Sequence, residues 1–214
     1  FVKSDGKSTE TQKACAGLII LSYPDLKLQY EDYEMVILKD PYIPGFLAFR
    51  EVGPLVNLFH RLENNRPDLR PDVIFVDGNG LLHPEKFGSA CHLGVILNIP
   101  TIGIAKNLFE VDGLNRKVIK DRVEKECVTE GESLPLIGQS GFLWGYALPN
   151  QPNVRRPIYV SSGHKVSQEK ALELTKKCSI YRIPEPIRRA DLGSRDFIRN
   201  LDFVGTTKSS SSSK

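Results

Sequence analysis

The chain has 214 residues, of which 40% are hydrophobic and 26% are charged, and its formal net charge is +3. This length suffices for one domain with a substantial core, and the composition is that of an ordinary soluble globular protein. The small positive charge is compatible with a polyanionic partner but does not require one, because nucleic-acid binding depends on where the basic side chains cluster.

The cysteines and the hydropathy exclude several classes of protein. The four cysteines are far apart in the sequence and form no CxxC pair, which argues against a zinc site or a disulfide framework and favours a reducing compartment. No apolar run approaches the roughly 18 residues that a membrane span needs, and no signal-peptide pattern opens the chain. We therefore expect an intracellular protein with no membrane partner.

The N-terminal third is predicted to form a hairpin followed by a helix. Residues 14–23 and 27–38 are rich in β-branched, aromatic and aliphatic residues, and a Tyr-Pro-Asp turn lies between them, which is typical of an antiparallel hairpin. From Glu51 onward, apolar residues at helical spacing predict a helix that ends near Asn65.

The middle of the chain is predicted to form a βαβ unit. The unbroken apolar run 73–76 ends at Asp77, residues 88–98 can form a helix, and the strand 101–105 ends at Lys106. Such a connection makes the two strands parallel, so that Asp77 and Lys106 leave the sheet at the same edge. Open α/β sheets hold their ligands at that edge.

The C-terminal part continues with two strands and two helices. Residues 142–148 and 157–162 are predicted strands, Ser167 can cap a helix, and Pro184-Glu185-Pro186 begins the last helix. We predict one domain over residues 1–205 and a disordered serine-rich tail over residues 206–214.

Several side chains near the predicted sheet edge could carry chemistry. Asp77 could hold a hard cation such as Mg²⁺, or it could cap the glycine-rich turn that follows it. Lys106 could neutralise a phosphoryl group, or it could pair with Asp77 or Asp112. His83, just past the Asp77 loop, has the best position of the four histidines, and His164 at another strand end is the second candidate.

Two further carboxylates are candidates, and each has a structural alternative. Glu51 lies at the predicted start of a helix, where a negative charge suits the helix macrodipole. Asp191 lies on the inner stripe of the last helix, and a buried carboxylate there needs a metal or a cationic partner. The alternative to a metal is a salt bridge to Arg188, Arg189 or Arg195.

The segment Pro41-Tyr42-Ile43-Pro44 is a proline-stiffened loop that presents an aromatic ring. Proteins that extract a base from its stack use such wedges, whereas the alternative is a turn that packs Tyr42 into the core. The sequence has no Walker A, G-x-S-x-G, H-E-x-x-H or G-x-G-x-x-G motif. The residues alone therefore indicate a phosphate or metal site at one sheet edge, without specifying a reaction.

Five segments in order resemble the endonuclease V family, and they resemble its animal members more than its bacterial ones. They are PYIPGFLAFRE (41–51), VDGNGLLHPEKFGSACHLGV (76–95), IGIAKNL (102–108), VSSGHKV (160–166) and RIPEPIRRADLGSR (182–195). The resemblance implies a ribonuclease H-like α/β fold, in which a mixed sheet is flanked by helices and acidic residues gather at one edge. This fold agrees with the predicted hairpin and βαβ unit.

The resemblance also implies a reaction and the residues that perform it. The reaction is hydrolysis of the second phosphodiester bond 3′ to inosine. Carboxylates would hold Mg²⁺, or Mn²⁺ in its place, which would activate the water. Glu51, Asp77 and Asp191 match the metal-binding acids, and Lys106 and His83 match residues near the scissile phosphate. The nucleic-acid site would comprise the wedge Pro41, Tyr42, Ile43 and Pro44, the base pocket Gly45, Leu47, Gly80 and Gly88, and, as a further candidate, His164.

The family also has a Val-Asp-x-Ser-Phe pattern on its N-terminal strand, and Phe1 matches the last residue of that pattern. The first catalytic aspartate would then lie three residues upstream, and Asp5, in a polar segment after the pattern, does not replace it. The only methionine is Met35. We therefore expect that the protein has an upstream segment and that the chain without it folds but is weakly active.

Three functional hypotheses stay open from the sequence. The first is a ribonuclease that cuts single-stranded inosine-containing RNA in the cytoplasm, the nucleus (nucleolus) or both, and the animal-like motifs favour it. The second is a repair endonuclease for deaminated DNA, which a requirement for a 2′-hydroxyl near the cut would exclude. The third is an inosine-RNA binder without catalysis.

Overall fold

The structure, a computed structural model, describes residues 2–3, 12–38, 47–129, 131–149 and 156–209. It is an α/β fold with one three-stranded sheet, one five-stranded sheet and helices packed against both. The predicted wedge Pro41, Tyr42, Ile43 and Pro44 and the predicted pocket residue Gly45 lie outside the described residues.

The three-stranded sheet is antiparallel and contains the predicted hairpin. Its strands are β1 (Val2–Lys3), β2 (Gln12–Leu21) and β3 (Leu28–Leu38), and β2 pairs with β3 along its whole length. On its other side β2 pairs with β1 only at Ala14 and Cys15. Within the described residues, the stretch 16–21 of β2 therefore has an unpaired edge.

The five-stranded sheet is mixed. Its strands are β4 (Ile74–Asp77), β5 (Thr101–Ala105), β6 (Leu134–Ile137), β7 (Leu143–Leu148) and β8 (Ile158–His164), in the spatial order β4-β5-β8-β7-β6. β4 and β5 are parallel, which confirms the predicted βαβ unit, and the other neighbours are antiparallel. β5 is buried throughout, as expected for an interior strand covered on both faces.

Five α-helices surround the sheets in the part of the chain that the structure describes. They are α1 (Leu47–Asn65), α2 (Ser89–Leu97), α3 (Arg116–Glu126), α4 (Gln168–Lys177) and α5 (Glu185–Ser209), with a short 3-10 turn at Pro67–Leu69. α1 ends where predicted but begins four residues before Glu51. None of the described helices is long and apolar enough to cross a membrane.

α5 connects the two sheets, because it packs against β2 and also against β4. Its first turn is fixed by Glu185, whose side chain is 1% exposed and accepts hydrogen bonds from Arg188 at 2.6 Å and Arg189 at 2.9 Å. The hydrogen bond from Arg188 lowers the pKa of the Glu185 carboxyl below its usual value. α5 continues to Ser209, four residues beyond the predicted end of the domain at residue 205.

Candidate functional site

Asp77 and Lys106 meet at one edge of the five-stranded sheet. Asp77 is the last residue of β4 and Lys106 follows the last residue of β5, so the parallel pairing brings the two side chains together. The Lys106 Nζ atom lies 2.8 Å from Asp77 Oδ2, and the two side chains are 42% and 31% exposed. The ion pair with Asp77, rather than one with Asp112, is thus the contact that Lys106 makes, and solvent reaches both groups.

A cleft of about 810 Å³ opens beside this edge, between the two sheets. Its walls include residues 17–21 of β2, from the three-stranded sheet, and residues 74–77 of β4, the edge strand of the five-stranded sheet. Glu51 of α1 and Asp191 of α5 line the same cleft as Asp77. The three acids that were predicted as metal ligands therefore border one space, although they come from three separate parts of the chain.

Asp191 is less buried than the sequence suggested, and it has a cationic partner. Its side chain is 30% exposed and accepts hydrogen bonds from Arg195 Nε at 3.0 Å and Nη2 at 3.3 Å. The hydrogen bond with Asp191 raises the pKa of Arg195 above its usual value. The expected burial was wrong because the inner stripe of α5 faces an open cleft at this position rather than closed core.

The chemistry of the three carboxylates fits a hard divalent cation, since Mg²⁺ and Mn²⁺ prefer oxygen ligands. Among the described residues, however, no three His, Cys, Asp or Glu side chains stand close enough to form a metal site. Lys106 and Arg195 hold oxygens of Asp77 and Asp191. A metal ion that bound these two aspartates would have to replace those contacts, and Glu51 would supply the third carboxylate.

The segment 78–88, here called the glycine loop, connects Asp77 to α2 and lies tightly against β8. The Gly80 amide donates to Ser161 Oγ at 3.0 Å, and the next amide, of Leu81, donates to the Ser162 carbonyl at 2.8 Å. A Cβ atom on Gly80 would lie 2.2 Å from that Ser162 oxygen, and one on Gly88 would lie 2.2 Å from the Asn79 oxygen. Both positions require glycine, because backbone atoms occupy the space of a side chain.

His83 is held in a defined orientation within the glycine loop. The residue is 5% exposed, and its ring packs edge-on against the ring of Phe109 with the centroids 5.2 Å apart. Its Nδ1 atom accepts a hydrogen bond from the Glu85 amide at 3.2 Å. The neutral imidazole therefore carries its proton on Nε2, which makes that atom a hydrogen-bond donor.

The structure does not bring His164 to this edge. β8 is antiparallel to β5, and His164 pairs with Thr101, the first residue of β5, whereas Lys106 follows the last. His164 therefore lies at the opposite edge of the sheet from Asp77, and its nucleic-acid-binding role stays a prediction that its position does not support. Leu47, which was predicted to line the base pocket with Gly80 and Gly88, is the first residue of α1.

Two of the serines that line the cleft, Ser89 and Ser194, lie beside the predicted acids but had no role in the sequence-based prediction. Ser89 begins α2, and its Oγ atom lies 2.2 Å from where a Cβ on Gly78 would be, which places it next to Asp77. Ser194 is 2% exposed and lies on α5 one turn after Asp191. The apolar stripe of α5 indicated the correct helix face for Ser194 but not its place in a cleft, which depends on how the two sheets are arranged.

The family model described as Endonuclease V matches residues 3–192 of this chain. The chain belongs to the Endonuclease V family. Endonuclease V of Mus musculus is 51% identical over 199 residues, which are 93% of this chain and 57% of that protein, so the chain spans little more than half the length of this relative. Family membership confirms the resemblance that the five sequence segments indicated.

Solved Endonuclease V structures also share the fold. The catalytic domain of the human protein superposes with a TM-score of 0.88 at 46% identity, over 94% of this chain and 80% of that one. The Ciona intestinalis protein, in complex with a 24mer DNA containing an inosine followed by a ribo-adenosine, gives a TM-score of 0.84 at 37% identity, over 93% and 84% of the two chains. The predicted fold class is thereby confirmed.

Proposed function

We propose that this chain is the nuclease domain of an endonuclease that hydrolyses the second phosphodiester bond 3′ to inosine in single-stranded RNA. The cleft shared by Glu51, Asp77 and Asp191, with Lys106 at its edge, is the observation that carries the proposal. Acids that border one cleft beside a lysine suit phosphodiester hydrolysis, because their side chains can converge on a cation and the lysine can neutralise a phosphate. Membership of the Endonuclease V family supports the choice of inosine.

We further propose that the cofactor is Mg²⁺, which Mn²⁺ can replace, and that Asp77, Glu51 and Asp191 hold it. When bound, the cation supplies an activated water and positive charge beside the phosphoryl group. The Lys106 ammonium, released from Asp77, contacts a phosphate oxygen. His83 Nε2–H donates a hydrogen bond to a second phosphate oxygen, in the orientation that the Glu85 amide and the Phe109 ring impose.

Deaminated DNA is the second candidate substrate, because the Ciona intestinalis relative is complexed with inosine-containing DNA. The ribo-adenosine after the inosine in that oligonucleotide supports RNA as the substrate.

Four single-stranded oligonucleotides separate these functions: all RNA, all DNA, DNA with one ribonucleotide 3′ to inosine, and RNA with one deoxynucleotide at that position. The RNA proposal predicts that only the first and third are cut efficiently; equal cutting of all four would overturn it in favour of DNA repair. Inosine-selective binding without cutting would indicate a binder.

Substitution of Lys106 by alanine is expected to lower the cleavage rate of inosine RNA about 10²-fold. The substitution removes a positive charge that stabilises the negative charge developing on the phosphoryl group. Its melting temperature should stay close to that of the wild type, because exposed ion pairs contribute about 0–1 kcal/mol. Single-turnover kinetics measure the effect. Lys120→Ala, at an exposed ion pair on α3, is the matched control and should cleave normally; a Lys106→Ala rate within twofold of the wild type would refute the role.

A further inference from the structure

We infer that Phe87 is a stacking surface for a base of the single-stranded substrate next to the inosine, an inference that rests on the proposed function. Phe87 is one of the large hydrophobic side chains that stay exposed, with 45% of its surface accessible. Aromatic side chains in proteins that bind single strands accept bases of any sequence on their rings, because every base has a π face.

The position of Phe87 in the fold places it at the edge that carries Asp77. The glycine loop leaves β4 at Asp77 and returns to begin α2 at Ser89, which lies beside Gly78 and lines the cleft. Phe87 precedes Ser89 by two residues, a separation that spans at most about 7 Å. The residue that directly follows Phe87, Gly88, donates its amide hydrogen to the Gly80 carbonyl oxygen at 3.0 Å. Phe87 therefore adjoins one glycine of the proposed base pocket, Gly88, which is hydrogen-bonded to the other.

The segment that carries Phe87 is held on two sides. On one side the ring of His83 packs against Phe109. On the other side the Lys86 ammonium lies 4.2 Å from the ring centroid of Phe142 and 5.3 Å from that of Trp144. The Lys86 amide closes the turn between them by donating to the His83 carbonyl at 2.8 Å.

The Asp112 carboxylate holds Trp144, one of the two rings that Lys86 contacts. Trp144 Nε1 donates to Asp112 Oδ2 at 2.8 Å, and the Ser140 amide donates to Asp112 Oδ1 at 3.1 Å. These hydrogen bonds, with that from the Ser140 hydroxyl foremost, lower the pKa of the Asp112 carboxyl. The backbone before Phe87 is thus fixed without a ligand, so stacking a base on the ring requires little ordering of the protein.

A structural explanation for Phe87 also exists. Phe87 precedes the N-cap Gly88 of α2, and its ring lies 5.7 Å from that of His92 in the next turn, which is the arrangement of a hydrophobic staple. A staple uses one side of the ring and needs only an apolar side chain. Stacking needs an aromatic ring with an accessible face. Leucine at position 87 retains the first property and loses the second, so it separates the two roles.

The test measures the affinity of inosine-containing single-stranded RNA, in chelator so that no cleavage occurs, for wild type, Phe87→Leu and Phe87→Tyr. A set of RNAs carries 2-aminopurine at one position at a time around the inosine. We expect Phe87→Leu to weaken binding about 5- to 100-fold and Phe87→Tyr to bind within twofold of the wild type. One 2-aminopurine position should change its fluorescence with wild type and Phe87→Tyr but not with Phe87→Leu.

Ile96→Ala, at a 49% exposed position on the same helix, is the control and should bind as the wild type does. Equal affinity and equal 2-aminopurine signals for wild type and Phe87→Leu would overturn the inference while leaving the proposed function intact. A wild-type chain that neither binds nor cuts inosine RNA would overturn both. A Phe87→Leu variant with a lowered melting temperature and a proportionate loss of folded protein, but unchanged affinity of the folded fraction, would assign Phe87 to the staple alone.

Discussion

Asp77→Asn is expected to lower the cleavage of inosine RNA by about 10³-fold, the largest catalytic loss of any single substitution in this site. The amide has nearly the shape of the carboxylate but no charge, so it binds a divalent cation poorly and no longer pairs with Lys106. Asp77 is the acid that the sheet itself places, since it ends β4 beside the end of β5. The other two acids come from helices.

The variant is measured by single-turnover cleavage, together with its thermal unfolding. The folded state should be retained, because the Asp77 side chain is 31% exposed and its ion pair with Lys106 lies at the surface. Asp121→Asn, at an exposed aspartate on α3, is the matched control and should cleave as the wild type does. An Asp77→Asn protein that cuts within tenfold of the wild-type rate would remove Asp77 from the reaction.

Gly80→Ala is expected to have the largest effect on folding, a loss of roughly 1–3 kcal/mol in the free energy of unfolding. The added methyl group would lie 2.2 Å from the Ser162 carbonyl oxygen and 3.0 Å from that of Ser161. Both atoms belong to the backbone of β8, an interior strand that cannot move aside. The glycine loop would have to lift from the sheet, and His83 and Gly88 would lose their positions together.

Chemical denaturation measures the stability change, and cleavage by the folded fraction measures the displacement of the loop. Gly53→Ala provides the contrast, because a Cβ at this helical position meets nothing within 4 Å. Alanine there should stabilise the protein by about 0.5–1 kcal/mol and leave cleavage unchanged. A Gly80→Ala protein as stable and as active as the wild type would show that the loop tolerates a side chain and does not depend on this contact.

The sheet edge that carries Asp77 and Lys106 could be predicted from the sequence because the signal is local. A βαβ unit is formed by the unbroken apolar run before Asp77, the helix that follows and the short strand before Lys106. A connection of this length makes the two strands parallel and gives the crossover one handedness. The hairpin likewise follows from two strand-like segments and one turn. Neither prediction requires knowledge of contacts between distant parts of the chain.

α3 and β6 are among the elements absent from the sequence-based prediction, and they were missed for different reasons. α3 is strongly polar, and its buried apolar residues are only Ile119 and Val123, so its hydrophobic periodicity is weak. The signal that could have found it is Asn115, whose side chain accepts hydrogen bonds from the amides of Lys117 and Val118 at the helix start. β6 has four residues and includes a proline, which lowers its resemblance to a strand.

For Asp191 and Lys106 the sequence indicated a few candidate ion-pair partners, but it did not identify which partner each residue contacts. Asp191 had three candidate arginines, and helix geometry selects Arg195 one turn later, because Arg188 and Arg189 are held by Glu185. Asp112, one candidate partner of Lys106, instead accepts hydrogen bonds from Trp144 and Ser140. Such choices depend on long-range contacts that residue patterns do not contain.

The central claim, that inosine directs cutting at one bond, is tested most directly by mapping the products of one matched pair of RNAs. The two single-stranded RNAs differ only by inosine or guanosine at one position, and the protein is in excess over RNA, so that slow cleavage is detected. We predict one cut, at the second phosphodiester 3′ to inosine, with 3′-hydroxyl and 5′-phosphate ends, in Mg²⁺ but not in chelator, and no cut in the guanosine RNA. Equal cutting of both RNAs, or cutting that persists in chelator, would contradict the account.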